Sequence, residues 1–229
     1  MRKFNSGRRV SLALGLSAFF YFGGSAFGAS LHALEGKVIL LDAGHAVKNS
    51  AGWIINPGAR ARHGAYERDV ALSVAAKVAP LLEAQGAKVF MTRTVDNPWR
   101  YGEHKEADNR GRAILSNILR ADAYVRIHCD WNRSRKFKGF TTYYYRWGSR
   151  DLAKSLRRSL VKNIPGHRDN GLHRRSFVSV TARMPAVLLE LGVLSNRAEA
   201  KDLANEAYQS RLAQAVAEGI ADYFSESPS

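Results

Sequence analysis

This sequence predicts an α/β domain, a single mixed, mostly parallel twisted sheet with helices on both faces, and three observations carry that expectation. Lys37-Val38-Ile39-Leu40-Leu41-Asp42 is a short continuous apolar run, the pattern of a strand buried on both faces of a sheet. Val70, Val74, Val78, Leu81 and Leu82 then recur at helical spacing ahead of Gly86. Beyond them, strand-like and helix-like segments alternate to the end of the chain, as layered α/β structures require.

In chain order, residues 37–42 form the first strand and residues 67–85 an amphipathic helix closed by a glycine. Residues 87–92 are a second strand, 108–119 a helix and 121–128 a strand, followed by a strand over 139–147 rich in Thr and aromatics. Within that last segment Tyr143, Tyr145 and Trp147 share one face, opposite Tyr144 and Arg146; core packing is the expected role of the three, with stacking against a bound ligand as the alternative. Residues 149–163 are helical, 177–180 and 186–191 are strands, and 197–224 read as a pair of helices. No repeat, Pro- or Gly-rich linker or low-complexity run interrupts this pattern, so one domain is expected over residues 37–225. A short segment, 29–36, precedes it and a polar tail, 226–229, follows.

The first 28 residues have a different character. Arg2, Lys3, Arg8 and Arg9 stand there without an acid, and residues 10–27 carry no charge, which are the n-region and h-region of an export signal. Ala26-Phe27-Gly28 places small residues before a cleavage near Ala29, and Arg8-Arg9-Val10-Ser11-Leu12 is similar to a twin-arginine motif. A retained anchor over residues 10–27 is the competing reading; the glycines and the small-residue exit favour cleavage, leaving no stable membrane span.

The 229 residues include 35 Lys and Arg against 20 Asp and Glu, and loss of the leader lowers the excess from +15 to +11. Such a surface favours anionic partners. In an exported protein the available anion is the cell envelope, and nucleic acid is not expected. At 45% hydrophobic and 24% charged residues the chain is globular, not disordered or collagen-like. Its single cysteine, Cys129, excludes an intramolecular disulfide framework and a four-cysteine zinc module.

Chemistry-bearing residues fall at element ends, where open α/β sheets place their sites. Asp42-Ala43-Gly44-His45 follows the first strand, Tyr66-Glu67-Arg68 opens the first long helix, and Arg126-Ile127-His128-Cys129-Asp130 ends another strand. Leu188-Leu189-Glu190-Leu191-Gly192 sets a carboxylate inside an apolar strand, which is costly unless donors or a cation meet it. Two histidines and a glutamate make a sound zinc set with a fourth position open to water. A second glutamate off the metal can take that water's proton.

Singly, each residue has a plainer explanation. A strand-end histidine is commonly just hydrogen-bonded, Glu67 complements a helix dipole, and Glu190 could serve a structural ion pair. Cys129, pointing away from its neighbour His128 in a strand, is expected to be a buried unpaired thiol.

The ordered set resembles the zinc-dependent N-acetylmuramoyl-L-alanine amidases of the type-3 kind. The family's Asp-Pro-Gly-His corresponds to Asp42-Ala43-Gly44-His45, and its Gly-x-x-Glu helix start to Gly64-Ala65-Tyr66-Glu67. Thr-Arg-x-x-Asp corresponds to Thr92-Arg93-Thr94-Val95-Asp96, and Arg-x-x-x-Ala-Asn is close to Arg112-Ala113-Ile114-Leu115-Ser116-Asn117. Ser-Ile-His-x-Asn/Asp corresponds to Arg126-Ile127-His128-Cys129-Asp130, and the closing motif runs from Pro185 to Asn196. The match covers residues 37–224 in the family's order. The resemblance implies one zinc ion per chain held by His45, Glu67 and His128, with Glu190 as the catalytic carboxylate. The bond it implies is the amide joining N-acetylmuramic acid to the first L-alanine of the peptidoglycan stem peptide.

Four departures stand out: Ala43 for a proline, Arg126 for a serine, Trp131 for a small residue and Val193 for an aromatic. Arg126 and Trp131 flank His128 and are expected to alter the groove. The 21 residues between His45 and Glu67 leave no room for the site-blocking helix of some larger relatives. Two other readings are a zinc peptidase cutting within the stem peptide and a non-catalytic wall-binding module. The expected setting is the periplasm or the extracellular wall, with peptidoglycan as partner, a protein activator left open, and a monomer.

Overall fold

The computed structural model describes residues 33–45, 48–62, 64–95, 101–176 and 181–226. Six strands, β1 (Val38–Ala43), β2 (Lys88–Met91), β3 (Ala123–Asp130), β4 (Phe140–Tyr144), β5 (Asp169–Arg174) and β6 (Ala186–Val193), form one sheet in the order β2-β1-β3-β6-β4-β5. β2, β1, β3 and β6 run parallel, β4 is antiparallel to β6, and β5 is parallel to β4. Helices α1 (Glu67–Glu83), α2 (Lys105–Ile118), α3 (Arg150–Asn163), α4 (Arg197–Leu203) and α5 (Glu206–Glu226) complete the domain. The expected mixed, mostly parallel α/β architecture is what forms.

The two faces of the sheet are unequally covered, and the alternation of side chains explains how. Leu41, Val125, Ile127 and Leu189 point to one face, where they meet Val74 and Val78 of α1, Leu156 of α3 and Val216 of α5 in the main core. Leu40, Tyr124 and Ala186 point to the other, against Ala113 of α2 and Ala182 in a much smaller cluster. Arg126, His128, Leu188 and Glu190 share the parity of that second face and lie nearer the strand ends. The chemistry therefore sits on the thinly covered side.

Several boundaries differ from expectation, each for a physical reason. The 139–147 strand ends at Tyr144, after which Trp147–Ser149 form a 3₁₀ turn. Tyr144, paired with Val187, faces the main core, while Trp147 is 68% exposed and Tyr143 and Tyr145 are half-buried. The three-residue core face is thus corrected to its opposite, Tyr144. The strand expected over 177–180 lies outside the described residues; the observed fifth strand is Asp169–Arg174, a polar edge strand. Leu34, in the short segment before the domain, is fully buried, and α5 continues through Glu226. Among the described residues no helix is long and apolar enough to cross a membrane; the export signal expected over residues 1–28 lies outside them.

Candidate metal centre

The first candidate ligand sits on a turn that the interior of the protein holds in place. Leaving β1, the chain passes through Gly44 to His45, which takes the left-handed conformation at φ 67°, costly for a residue with a side chain. Two buried arginines clamp the carbonyls of that turn. Arg93 donates from Nε to the Ala43 carbonyl (2.9 Å) and from Nη2 to the Gly44 carbonyl (2.7 Å). Arg112 donates from Nη1 to the Ala43 carbonyl (3.0 Å) and from Nη2 to the His45 carbonyl (3.0 Å).

Asp42 anchors the cluster from within the core. Its carboxylate receives Arg112 Nη1 (2.6 Å) and Thr92 Oγ1 (2.7 Å) on one oxygen, and Arg126 Nε (2.8 Å) and Tyr124 Oη (2.9 Å) on the other. Burial alone would raise its pKa, but Arg112 and Arg126 overcome this and hold Asp42 well below the ordinary carboxylate range.

Three donors then converge. His45 Nε2 lies 2.6 Å from Glu67 Oε1, and His128 Nδ1 lies 3.0 Å from each of these atoms. Asn56 Oδ1 accepts from His45 Nδ1 at 2.7 Å, which leaves the lone pair of His45 on Nε2, facing a carboxylate oxygen. Atoms that carry lone pairs and point at one another need a cation between them. The Ala59 N–H fixes Glu67 Oε2 (2.8 Å), and the Cys129 N–H reaches Glu67 Oε1 (3.2 Å). Burial raises the Glu67 pKa, but the neighbouring His128 and His45 outweigh it, so the net shift is downward. Burial lowers His128 to about 4 and keeps its imidazole neutral, as a ligand must be.

The donor set fits zinc: two imidazoles and a carboxylate match open catalytic sites, and tetrahedral ligands about 2.0–2.1 Å from the ion stand roughly 3.3 Å apart. Glycines make the approach possible. A Cβ on Gly44 would lie 2.5 Å from His128 Cε1, and one on Gly58, at φ +72°, 2.8 Å from His45 Cγ. Among the described residues between His45 and Glu67 there is no helix, as the short spacing implied.

Glu190 stands beside this triad, paired in register with His128 across β3 and β6. Its Oε2 is buried without a hydrogen-bond partner among the described residues. Burial, then repulsion from Glu67 and Asp130, pushes its pKa well above the ordinary value. The cleft it shares with the triad, about 360 Å³, is also lined by Arg126, Trp131, Lys105 and Asn109. Arg126 is no free groove cation: it is ion-paired to Asp42 and donates to Asn109 Oδ1 (3.0 Å). Trp131 is half exposed at the cleft edge. Cys129 is buried in the main core as a free thiol, as its parity implied.

All four residues singled out by sequence therefore meet in one cleft. Sequence reasoning missed the jobs of Arg93, Arg112 and Asn56. The first two stood inside motifs, but nothing local shows that an arginine will bind a turn some 50 or 69 positions away.

A family model described as N-acetylmuramoyl-L-alanine amidase matches residues 39–222. The germination-specific N-acetylmuramoyl-L-alanine amidase of Bacillus subtilis is 33% identical over 207 residues, covering 84% of this chain and 82% of the relative. Among solved structures, the CwlD amidase from Clostridioides difficile, in complex with the GerS lipoprotein, superposes with a TM-score of 0.74 at 27% identity, covering 83% of this chain and 100% of that one. The catalytic domain of CwlV, an N-acetylmuramoyl-L-alanine amidase from Bacillus (Paenibacillus) polymyxa, gives 0.72 at 30% identity, covering 83% and 99%.

Proposed function

The chain belongs to the type-3 N-acetylmuramoyl-L-alanine amidase family, and on that premise we propose a zinc-dependent peptidoglycan hydrolase whose ligands are His45, Glu67 and His128 and whose proton carrier is Glu190. It cleaves the amide between N-acetylmuramic acid and the L-alanine of the stem peptide. The observation that carries the reading is the meeting of three lone-pair donors within 3.0 Å beside a buried carboxyl with an unpartnered oxygen. Bound zinc supplies Lewis acidity to the scissile carbonyl and to the attacking water.

The protein's own groups do the rest. Asn56 and Ala59 orient His45 and Glu67, and the arginine clamp holds the His45 turn. Glu190 takes the water's proton on its unpartnered oxygen and returns it to the leaving amine nitrogen, so that the amide opens to a lactyl carboxylate and a free L-alanine amine. Its raised pKa suits both halves of that transfer. A cation at the triad would act against the repulsion from Glu67 and so oppose part of that upward shift, favouring the ionised form that accepts a proton.

Mass spectrometry of purified peptidoglycan digested by zinc-loaded mature protein tests this. Whole stem peptides with a free N-terminal L-alanine are the expected product, lost in Glu190→Gln and after chelation. Products cut within the stem would favour the peptidase, and retained binding without products the wall-binding module. Because the substrate lies outside the cytoplasm, residues 1–28 act in this reading as the export signal, which delivers the protein to the periplasm or wall. The GerS lipoprotein seen with the CwlD relative supports a protein activator here too, assayed by purifying the protein from its host envelope.

A further inference from the structure

A second and larger cavity, about 860 Å³, lies between the segment ahead of α1 and the outer side of α4. Its apolar lining is small, four alanines and Leu194; its charged lining is Arg62, Arg135, Arg197 and Lys201, without an acid. These four cations are exposed, and none makes a side-chain hydrogen bond or ion pair with another described residue. Four of the five cations of α3 differ: Arg157 pairs with Asp169, Arg158 with Glu226, Lys162 with Glu218 and Lys154 with Asp151, and Arg150 alone of that helix has no such partner among the described residues.

The arrangement of α4 keeps its two acids out of the cavity lining. Glu199 is turned inward, accepting the N–H groups of Gly139 and Val193 at 2.8 Å each, and Asp202 faces a neighbouring pocket that Lys201 also borders, while Arg197 and Lys201 line the cavity one turn apart. The cavity also borders the catalytic cleft through shared backbone. Ala61 and Arg62 continue the segment whose Ala59 N–H holds Glu67. Ser195 Oγ accepts from the N–H of Asn132, next to Trp131 of the cleft.

A lining of methyl-sized side chains ringed by unneutralised cations suits an extended peptide of small apolar residues bearing carboxylates. Stem peptides of the wall have that chemistry. We infer, resting on the amidase reading, that this groove is a second wall-binding site, taking an anionic stem peptide while the Glu190 cleft holds the bond to be cut. A polyanion without apolar side chains would leave the alanine lining unused.

The test uses the mature protein carrying Glu190→Gln, so that sacculi are bound and not digested, with affinity read by sedimentation. Arg197→Glu with Lys201→Glu is expected to weaken binding about tenfold and to flatten its salt dependence. Arg158→Glu with Lys162→Glu, an equal charge change on α3, is expected to stay within about twofold. Ala204→Trp fills the groove without changing charge and is expected to weaken binding as well. Equal losses in the two charge-reversed proteins would show diffuse attraction to net charge and overturn the proposal. So would sacculus binding that none of the variants changes, which would leave the groove to an acidic protein. Cleavage of a soluble muramoyl tripeptide, with Glu190 intact, reads the chemistry separately: its failure in the wild type would overturn the amidase reading while sacculus binding is still measured.

Discussion

Asp42 shows how far a single residue reaches in this protein. It touches no candidate ligand, yet the two arginines it neutralises are those that grip the turn of His45 or flank His128. Removing one member of a buried ionic cluster strands the others, so Asp42→Asn is expected to cost about 3–5 kcal/mol in urea unfolding. The pH dependence has a definite sign. The folded pKa of Asp42 lies below its ordinary value near 3.8, so its contribution is fully present above that pH and is lost as pH falls through the lower folded value. The gap between wild type and Asp42→Asn should therefore be flat from neutrality to about pH 4 and narrow below it; a gap that narrows between pH 7 and 5 would refute this assignment. Arg93 acts on the site more directly. Arg93→Met is expected to weaken zinc binding about 10- to 100-fold in chelator competition, with partial rescue in Arg93→Lys. A change in thermal midpoint without a change in zinc affinity would make the arginine merely structural. The candidate ligands were legible because each stands at an element end in a short motif. The clamp was not, since its partners are carbonyls, which every residue has.

At the scale of elements, legibility followed burial. β1 and β6 are continuous apolar runs because both faces are covered, and α1 keeps a clean helical stripe against the core, so all three were readable. β5 was not: Asp169-Asn170-Gly171-Leu172-His173-Arg174 is an edge strand that buries little beyond Leu172, and polar edges protect a sheet from unwanted pairing. β4 was legible as a strand but not in which face it buries, because its Thr and Tyr residues suit either side. The packing of α5 on α3 yields a prediction opposite to helix propensity. Gly219 is buried in α5, and a Cβ there would lie 2.8 Å from Leu156 Cα and 3.2 Å from Ser159 Cβ. Alanine ordinarily improves a helix interior by about 1 kcal/mol. Here it must push two helices apart, and Gly219→Ala is expected to destabilise by roughly 1–3 kcal/mol in a denaturant melt. A rise in stability would mean that the helices separate freely.

For the molecule as a whole, the site works as a clip across the fold. Its candidate ligands come from the end of β1, the start of α1 and the end of β3, with Glu67 and His128 61 positions apart and His45 and His128 83. Without a cation, the folded chain brings a carboxylate and two imidazole nitrogens within 3.0 Å of one another, and burial holds His128 uncharged, so folding alone leaves the lone pair of His45 Nε2 facing a carboxylate oxygen. A zinc ion bound there would relieve that cost only in the folded state, since the unfolded chain scatters the three residues. Its binding would then be folding free energy. At free zinc about 100 times its Kd the gain is about 2.7 kcal/mol, which for a domain of this size raises the thermal midpoint by roughly 5–10 °C. Calorimetry of the mature protein, dialysed against chelator and then titrated with zinc, should show that rise as one cooperative transition. In His45→Ala it should be lost, although the turn, the clamp and Glu190 remain. Magnesium, a poor match for two imidazoles, should leave the midpoint in place. A midpoint indifferent to zinc in the wild type would mean that these residues hold a proton between them and not a metal, and the zinc-dependent mechanism would fall with it.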